Sequence, residues 1–366
     1  MDEFVYQFTN FCQFRCRAKK PEDIQLLKAH PDVWSIGTVI KYLTGLIERS
    51  RLAVKLAKKA DDEEDGAEDD GEDDKVSNLH RTLGYFAIVG LARVHCLCGD
   101  YASVLKVLEP IDLTRKGLFS RVMACHSALY YYLGFSYLMM RRYPEAIQAL
   151  TNVLFYLSRA QQATQTFQQI EINKKNDQMY SLLVIALTLS PQRIEEHVNA
   201  ILKDKFGDIM QRLQKGDEAL MSERFLHGCP KMIWPAVPDY DNAEAMALAA
   251  DQQHRQRQQL KVFLNDVRQQ EVVPTIRSFL KLYTSIELSK LAKFLDVDEA
   301  TLGEHLLCYK HKIRNRAATK WAASEVEFFI ENGMVHVGDT KVLRRFGEYF
   351  IRNSKKLDAI IADGAR

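Results

Sequence analysis

Chain breakers are scarce in this sequence. It holds 17 glycines and 9 prolines in 366 residues, against a usual share of about one residue in eight. That scarcity argues against a turn-rich sandwich or propeller and leaves room for long helices. No apolar run reaches the ~18 residues that a membrane span needs. The N-terminus, MDEFVYQF, lacks the basic and apolar regions of a signal peptide. Cysteine is odd in number, at seven, and a chain this long needs no disulfide staples, which fits a reducing compartment. These absences together read as a soluble, cytoplasmic protein. Catalytic signatures are missing too. There is no G-x-S-x-G, no G-x-x-x-x-G-K-[ST], no G-x-G-x-x-G and no H-E-x-x-H. Nor is there a His-x-His with the downstream Ser and Asp that a metalloisopeptidase requires.

Enough apolar residue is present, 47% with 27% charged, to build a core and to exclude global disorder. The net charge of +2 hides an uneven distribution. Residues 61–74, DDEEDGAEDDGEDD, hold 11 of the 48 acids, and elsewhere 50 basic residues face 37 acidic ones. Like charges in a block repel and stay solvated, so 57–78 is expected to be a disordered acidic linker. The mildly basic remainder permits contact with RNA or a ribosome.

Helical spacing dominates on both sides of the linker. Phe4, Val5, Phe8, Phe11 and Cys12 form one stripe, and Val33, Ile36, Val39, Ile40, Leu43 and Ile47 form another. Beyond the linker, Tyr130, Leu133, Gly134, Tyr137, Tyr143, Ala146 and Leu150 stand at the offsets of a tetratricopeptide-type helix pair. Ile88, Leu91, Ala92, His95, Tyr101, Val104 and Leu108 repeat that register. The turns Gly99-Asp100-Tyr101 and Arg141-Arg142-Tyr143 lie 42 residues apart. Gly134 and Ala146 are small where the two helices should meet. An ordinary antiparallel bundle is the alternative. Further helices are expected over 161–189, 192–203, 205–214 and 217–227. A proline-rich break follows at 229–242, then a polar helix over 243–271.

The last ninety residues have a different pattern. Pro274 opens a helix with Ile276, Phe279, Leu280 and Leu282. Ser285 is a candidate cap for a second, with Leu288, Leu291, Ala292 and Leu295. After the turn Asp296-Val297-Asp298, a third runs from Glu299 to about Arg316 with Leu302, Leu306, Leu307 and Ile313 inward. Val326, Phe328 and Ile330 then alternate, Glu331-Asn332-Gly333 turns, and Met334, Val335 and Val337 return. Helix, helix–turn–helix and hairpin make a winged helix. The final helix, about 340–361, carries Leu343, Phe346, Phe350, Leu357 and Ile361 on one side. Leu343 to Phe350 should pack on the winged helix, and Leu357 and Ile361 should reach a partner bundle.

Candidate metal or nucleophile sites do not survive scrutiny. Cys96 and Cys98 of His95-Cys96-x-Cys98 point apart on a helix, and no second pair stands at zinc spacing. Cys12 and Cys16 share a face but lack further ligands. Cys125 and His126 are helix neighbours that do not face each other. No catalytic, cofactor-binding or metal residue is assigned, and the chain reads as a non-enzyme. Lys310, Lys312, Arg314, Arg316 and Lys320 form a basic stretch that suits a solvated helix end, RNA phosphate or an acidic partner face. Base-specific DNA reading is disfavoured, because the same helix starts Glu299, Ala300, Thr301, Gly303, Glu304. The outer strand of the wing, the return strand with Val335 and Val337, would offer unpaired backbone groups, a natural site for strand addition. The expected interface residues are therefore Val326, Phe328, Ile330, Val335, Val337, Phe350, Leu357 and Ile361.

Helical repeats running into a winged helix resemble the PCI-domain family, the module shared by the proteasome lid, the COP9 signalosome and initiation factor 3. Five stretches in order, DEFVYQFTNFCQFRCR, TLGYFAIVGLARVHCLCGDY, YYYLGFSYLMMRRYPEAI, TIRSFLKLYTSIELSKLAKFLDV and SEVEFFIENGMVHVGDTKVLRRFGEYFIR, are similar to a PCI subunit of eukaryotic translation initiation factor 3. The resemblance implies a mainly α fold: N-terminal helices over 1–56, the linker, a TPR-like array over 79–272, a winged helix over 273–339 and a bundle helix over 340–366. It implies that the chain begins near the middle of the family's sequence. It also implies a scaffold without cofactor that binds the small (40S) ribosomal subunit and supports mRNA recruitment. Expected partners are subunit K as nearest neighbour, the PCI subunits E and C, the MPN subunits, and rRNA or mRNA, with no membrane. A lid or signalosome subunit, or a stand-alone winged-helix nucleic-acid binder, is the alternative.

Overall fold

The structure is a computed structural model that describes residues 1–50, 78–109, 122–161, 169–251, 253–317, 327–338, 347 and 349–357. The acidic run 61–74 lies outside the described residues. The fold is mainly α. The chain divides into two compact units, Met1–Leu264 and Asn265–Arg366. Among the described residues, no helix is long and apolar enough to cross a membrane.

The first unit opens with α1 (Asp2–Arg17), α2 (Pro21–Ala29) and α3 (Ile36–Ser50). Val5, Phe8 and Cys12 on α1 and Val39 and Leu43 on α3 are buried, as their spacing predicts. The helix α2 was not expected from the periodicity. Pro21 at its first turn, where no amide donor is needed, and Glu22 and Asp23 beside it favour that start.

Next come α4 (Asn78–Cys98), α5 (Tyr101–Leu108), α6 (Met123–Met139) and α7 (Tyr143–Gln161). Neighbours pack as α3 on α4, α4 on α5 and α6 on α7. The connections of α4 to α5 and of α6 to α7 have the same geometry at an offset of 42 residues. The Asp100 amide donates to His95 O at 3.0 Å, and the Arg142 amide to Tyr137 O at 2.9 Å. Gly99 and Arg141, the matching residues, both take positive φ, 87° and 62°. Even the side chains that lock the turns correspond. Asp100 accepts from the Ser103 amide and lies 3.4 Å from His95 Nδ1, while Arg142 pairs with Glu145 and lies 4.9 Å over the Tyr137 ring.

Gly134 lets α6 and α7 touch. A Cβ there would stand 2.7 Å from Leu150 Cδ2 and 2.8 Å from its Cγ. Two more helices, α8 (Gln169–Leu189) and α9 (Glu196–Gln214), continue the array, and α10 (Glu218–Gly228) packs on α8. The two helices expected over 192–203 and 205–214 are one, because Asp204 sits in an unbroken run with no breaker beside it. The polar helix expected over 243–271 is instead two. Asn242 caps α11 (Ala243–Ala250), and Asp251 ends it by accepting from the Gln253 amide and so starting a new turn. Arg15 ties the preceding proline-rich segment to α1. It is buried, and it donates to Pro235 O at 2.9 Å and Ala236 O at 3.2 Å.

The helix α12 (His254–Leu282) contains the boundary between the units. It runs straight through Pro274, where a helix start was expected. Ile276 and Leu280, both fully buried, give this stretch enough apolar burial to offset the one backbone bond that proline removes. In the second unit, α12 is followed by β1 (Ser285–Glu287), α13 (Leu288–Leu295), α14 (Glu299–Ala317), β2 (Glu327–Glu331) and β3 (Met334–Gly338). Ser285 is thus a strand residue and not a helix cap. Asp296, at φ 53°, closes α13 in the left-handed region, and Asn332 and Gly333 at φ 49° and 75° form the tight hairpin turn. The three strands form one antiparallel sheet in the order β1-β3-β2. Ile276, Leu280, Ile286, Leu291, Leu302, Leu306, Phe328 and Val335 form its core. Leu307, expected inward, is 61% exposed, because Leu306 next to it already fills the inward position of that turn. The side chain of Ile313 lies outside the described residues.

Candidate subunit interface

The sheet order decides which backbone is open. The strand β3 is central, with Ile286 opposite Val335 on one side and Phe328 opposite Val337 on the other. Val335 is fully buried and Val337 half-buried. The Val337 amide donates to Thr284 O at 2.9 Å. The expectation that the return strand carries the unpaired edge is therefore corrected. A third strand, β1, occupies that side, and among the described residues the edge strands are β1 and β2.

Backbone groups alternate in direction along an antiparallel strand. Val337 addresses β1, so its partner Phe328 turns its own N–H and C=O away from β3, toward the free edge of β2. Ile330, opposite Val335, does the same. The edge is not bare. Lys310 on α14 donates from Nζ to Phe328 O at 2.7 Å, and its ammonium lies 5.5 Å over the Phe328 ring. Tyr309 stacks on that ring at 6.0 Å. A cation on an edge carbonyl is a common guard against unwanted strand pairing.

The residues singled out from sequence thus separate. Phe328 is core, and Ile330, expected on the same buried face, is 40% exposed beside the hairpin turn. Val326 lies outside the described residues. Lys310 faces the sheet. Lys312, Arg314 and Arg316 belong to α14, but their side chains, like all of Lys320, lie outside the described residues. Residues 349–357 are helical. Phe350, expected to pack locally, is 64% exposed, and Leu357 is 59% exposed. The Tyr349 ring meets that of Phe350 edge-on at 5.8 Å. Leu343, Phe346 and Ile361 are not among the described residues.

Sequence reasoning missed Phe329 and His336. They are cross-strand partners on the face of the sheet away from the core, with rings 5.1 Å apart. A strand that reads Glu-Phe-Phe-Ile-Glu gives no alternation that separates its two faces. The short strand β1 was also the only signal for a central β3, and three residues do not register as a strand.

The thiols of Cys12, Cys96 and Cys125 and the imidazole of His126 are packed, not poised. Burial pushes the Cys12 thiol up to about 11 and that of Cys96 up to about 12. Cys125 is likewise raised to about 11, mainly by burial, and burial holds His126 below its ordinary value. A thiol shifted upward is a poor nucleophile near neutral pH. Among the described residues, no group of three or more His, Cys, Asp or Glu is arranged to hold a metal ion.

A family profile described as RNA polymerase I-associated factor PAF67 matches residues 1–357. A protein of Nematostella vectensis named eukaryotic translation initiation factor 3 subunit L is 45% identical over 98% of this chain and 70% of its own length. The human and mouse proteins of that name are 42% and 43% identical over 98% of this chain and 65% of their own lengths. The chain belongs to the eukaryotic translation initiation factor 3 subunit L family. The five stretches quoted above resemble subunit L in particular, and the relatives bear that out. The chain spans about two thirds of the length of the vertebrate subunit L proteins it matches. The sheet, α14 and the helical residues 349–357 all fall inside the matched residues.

Proposed function

We propose that this chain is a non-catalytic scaffold subunit of eukaryotic translation initiation factor 3 that works in the cytoplasm. The observation that carries the reading is identity of 42–45% with subunit L proteins over 98% of the chain. In this reading the paired helices α4–α5 and α6–α7 are TPR-like repeats, supported by their matching turns. The order α12, β1, α13, α14, β2, β3 is that of a winged helix, and with the repeats it makes a PCI module. The segments are then N-terminal helices over 1–56, the acidic linker 57–78, the repeats 79–272, the winged helix 273–339 and the terminal helix 340–366. The chain assembles with subunit K and with PCI and MPN subunits through β2 and the terminal helix. The assembly binds the 40S ribosomal subunit and supports mRNA recruitment, with the basic end of α14 near RNA or an acidic partner. Affinity capture of the tagged full chain from its own cells, followed by mass spectrometry, tests this. Initiation factor 3 subunits and 40S proteins are the expected co-purifying set. Recovery of proteasome lid or signalosome subunits in their place would overturn it.

A further inference from the structure

The face of the sheet away from the core has its own chemistry. Register places Ser285, His336 and Phe329 in one row across the three strands, and Glu287, Met334 and Glu331 in the next. Glu327, opposite Gly338, shares this face. The three strands contain three glutamates and no lysine or arginine. None of the three carboxylates has an ion-pair partner among the described residues. Phe329 is 51% exposed although His336 stacks against one side of its ring. An aromatic ring left half in water between carboxylates differs from the usual polar outer surface of a small sheet.

The spacings suit one kind of side chain. Glu327 and Glu331 flank Phe329 along β2 at about 6.8 Å each, two residues of a strand. Glu287 and Glu331 stand on either side of Met334 at about 9.5 Å, two strand spacings. A guanidinium stacks flat on an aromatic ring and takes a carboxylate through two parallel N–H bonds. Its aliphatic stem would lie along Met334. The same carboxylates repel phosphate, which disfavours RNA on this face.

We propose that this outer sheet face docks an arginine-bearing basic segment of a protein partner, with Phe329 as the stacking platform and Glu331, Glu287 and Glu327 as the acceptors. This site is separate from the open edge of β2 and stands whether or not strand addition occurs there. It predicts recognition by charge and ring stacking, not by backbone pairing.

The probe is a twelve-residue peptide of alternating Arg and Gly with one photo-reactive residue, cross-linked to the full chain and mapped by mass spectrometry. Cross-links should fall in 285–287 and 327–338. Phe329→Ala and Glu331→Lys should each reduce them at least fivefold, Glu287→Gln less, with an unchanged circular dichroism spectrum. Glu304→Lys, an exposed charge reversal on α14, should leave them intact. Cross-links confined to the acidic run 61–74, insensitivity to Phe329→Ala, equal labelling by the matching Glu-Gly peptide, or preferential labelling of this face by oligouridylate RNA would each overturn the proposal. So would cross-links joining these strands in two copies of the chain.

Discussion

At Gly134 a missing atom sets the distance between two helices. The nearest atoms to a Cβ there belong to Leu150, and they include Cγ, the middle of a fully buried side chain and not its flexible tip. Leucine at 134 must displace Leu150 or part the helices, an overpacking cost of roughly 1–3 kcal/mol or more. Gly207 on α9 has nothing within 4 Å of its Cβ position. Alanine there should gain up to about 1 kcal/mol of helix propensity. We therefore expect Gly134→Leu to lower the calorimetric Tm and Gly207→Ala to raise it. A rise at both positions would show that Gly134 is not a contact. Histidine supplies a second test at this scale. His126 is buried between Tyr130 and Tyr156, at 4.8 and 4.6 Å, and burial depresses its pKa. His95 is depressed too, by burial working against the nearby Asp100. A depressed folded pKa means that the unfolded chain takes the proton first. The stabilisation is complete above the unfolded value of about 6.5 and is lost as pH falls through the folded values. Tm should therefore drop between pH 7 and 5. His126→Phe, which keeps the ring contacts, should flatten that slope, and an unaltered slope would remove His126 from the account.

Elements were legible wherever their signal was local. Asn332-Gly333 between apolar runs marked the hairpin, and the 3.6-residue stripes of α1, α3 and α7 marked their buried faces. The equivalence of residues 95–101 and 137–143 was also visible, because the turn chemistry repeats in sequence. What escaped was non-local. Nothing near Met334 indicates that β1, some fifty residues earlier, occupies one side of it. Likewise, the continuation of α12 through Pro274 depends on the burial of Ile276 and Leu280 in a distant core. The sheet order changes which substitution tests edge assembly. Proline at Val337 would break the internal bond to Thr284, so a loss of partners there would say nothing about an interface. Ile330 turns its amide toward the free edge of β2, whereas Phe329 directs its own toward β3. We expect Ile330→Pro to leave the second unit folded, since that amide serves no bond to β3, and to weaken co-assembly. Phe329→Pro should unfold the hairpin. Full recovery of partners by a folded Ile330→Pro protein would exclude β2 as the site of strand addition.

At the scale of the whole molecule, the question is which apolar surface is left for others. Most large side chains of the first unit that lie on a helical stripe are buried, and so is the core of the sheet. The helix 349–357 is different, with Tyr349, Phe350, Ile351 and Leu357 all exposed. Phe350 and Leu357 are seven residues apart and so share one helix face, with the half-buried Asn353 between them. Fully burying such a side chain is worth about 1.5–3 kcal/mol. A chain that leaves both in water forgoes that stabilisation unless a partner covers them. The double substitution Phe350→Ala/Leu357→Ala removes the stripe without shortening the helix, and alanine favours the helix. Because both side chains are already exposed, Tm should stay within about 2 °C of the parent, as surface substitutions usually cost under 0.5 kcal/mol. If the stripe enters a helical bundle of partner subunits, affinity for them should fall at least tenfold, about 1.4 kcal/mol. Truncation after Asn353 should act in the same direction. A drop of several degrees in Tm with partner recovery unchanged would instead make this helix a cap on its own unit, and assembly would then rest on the sheet.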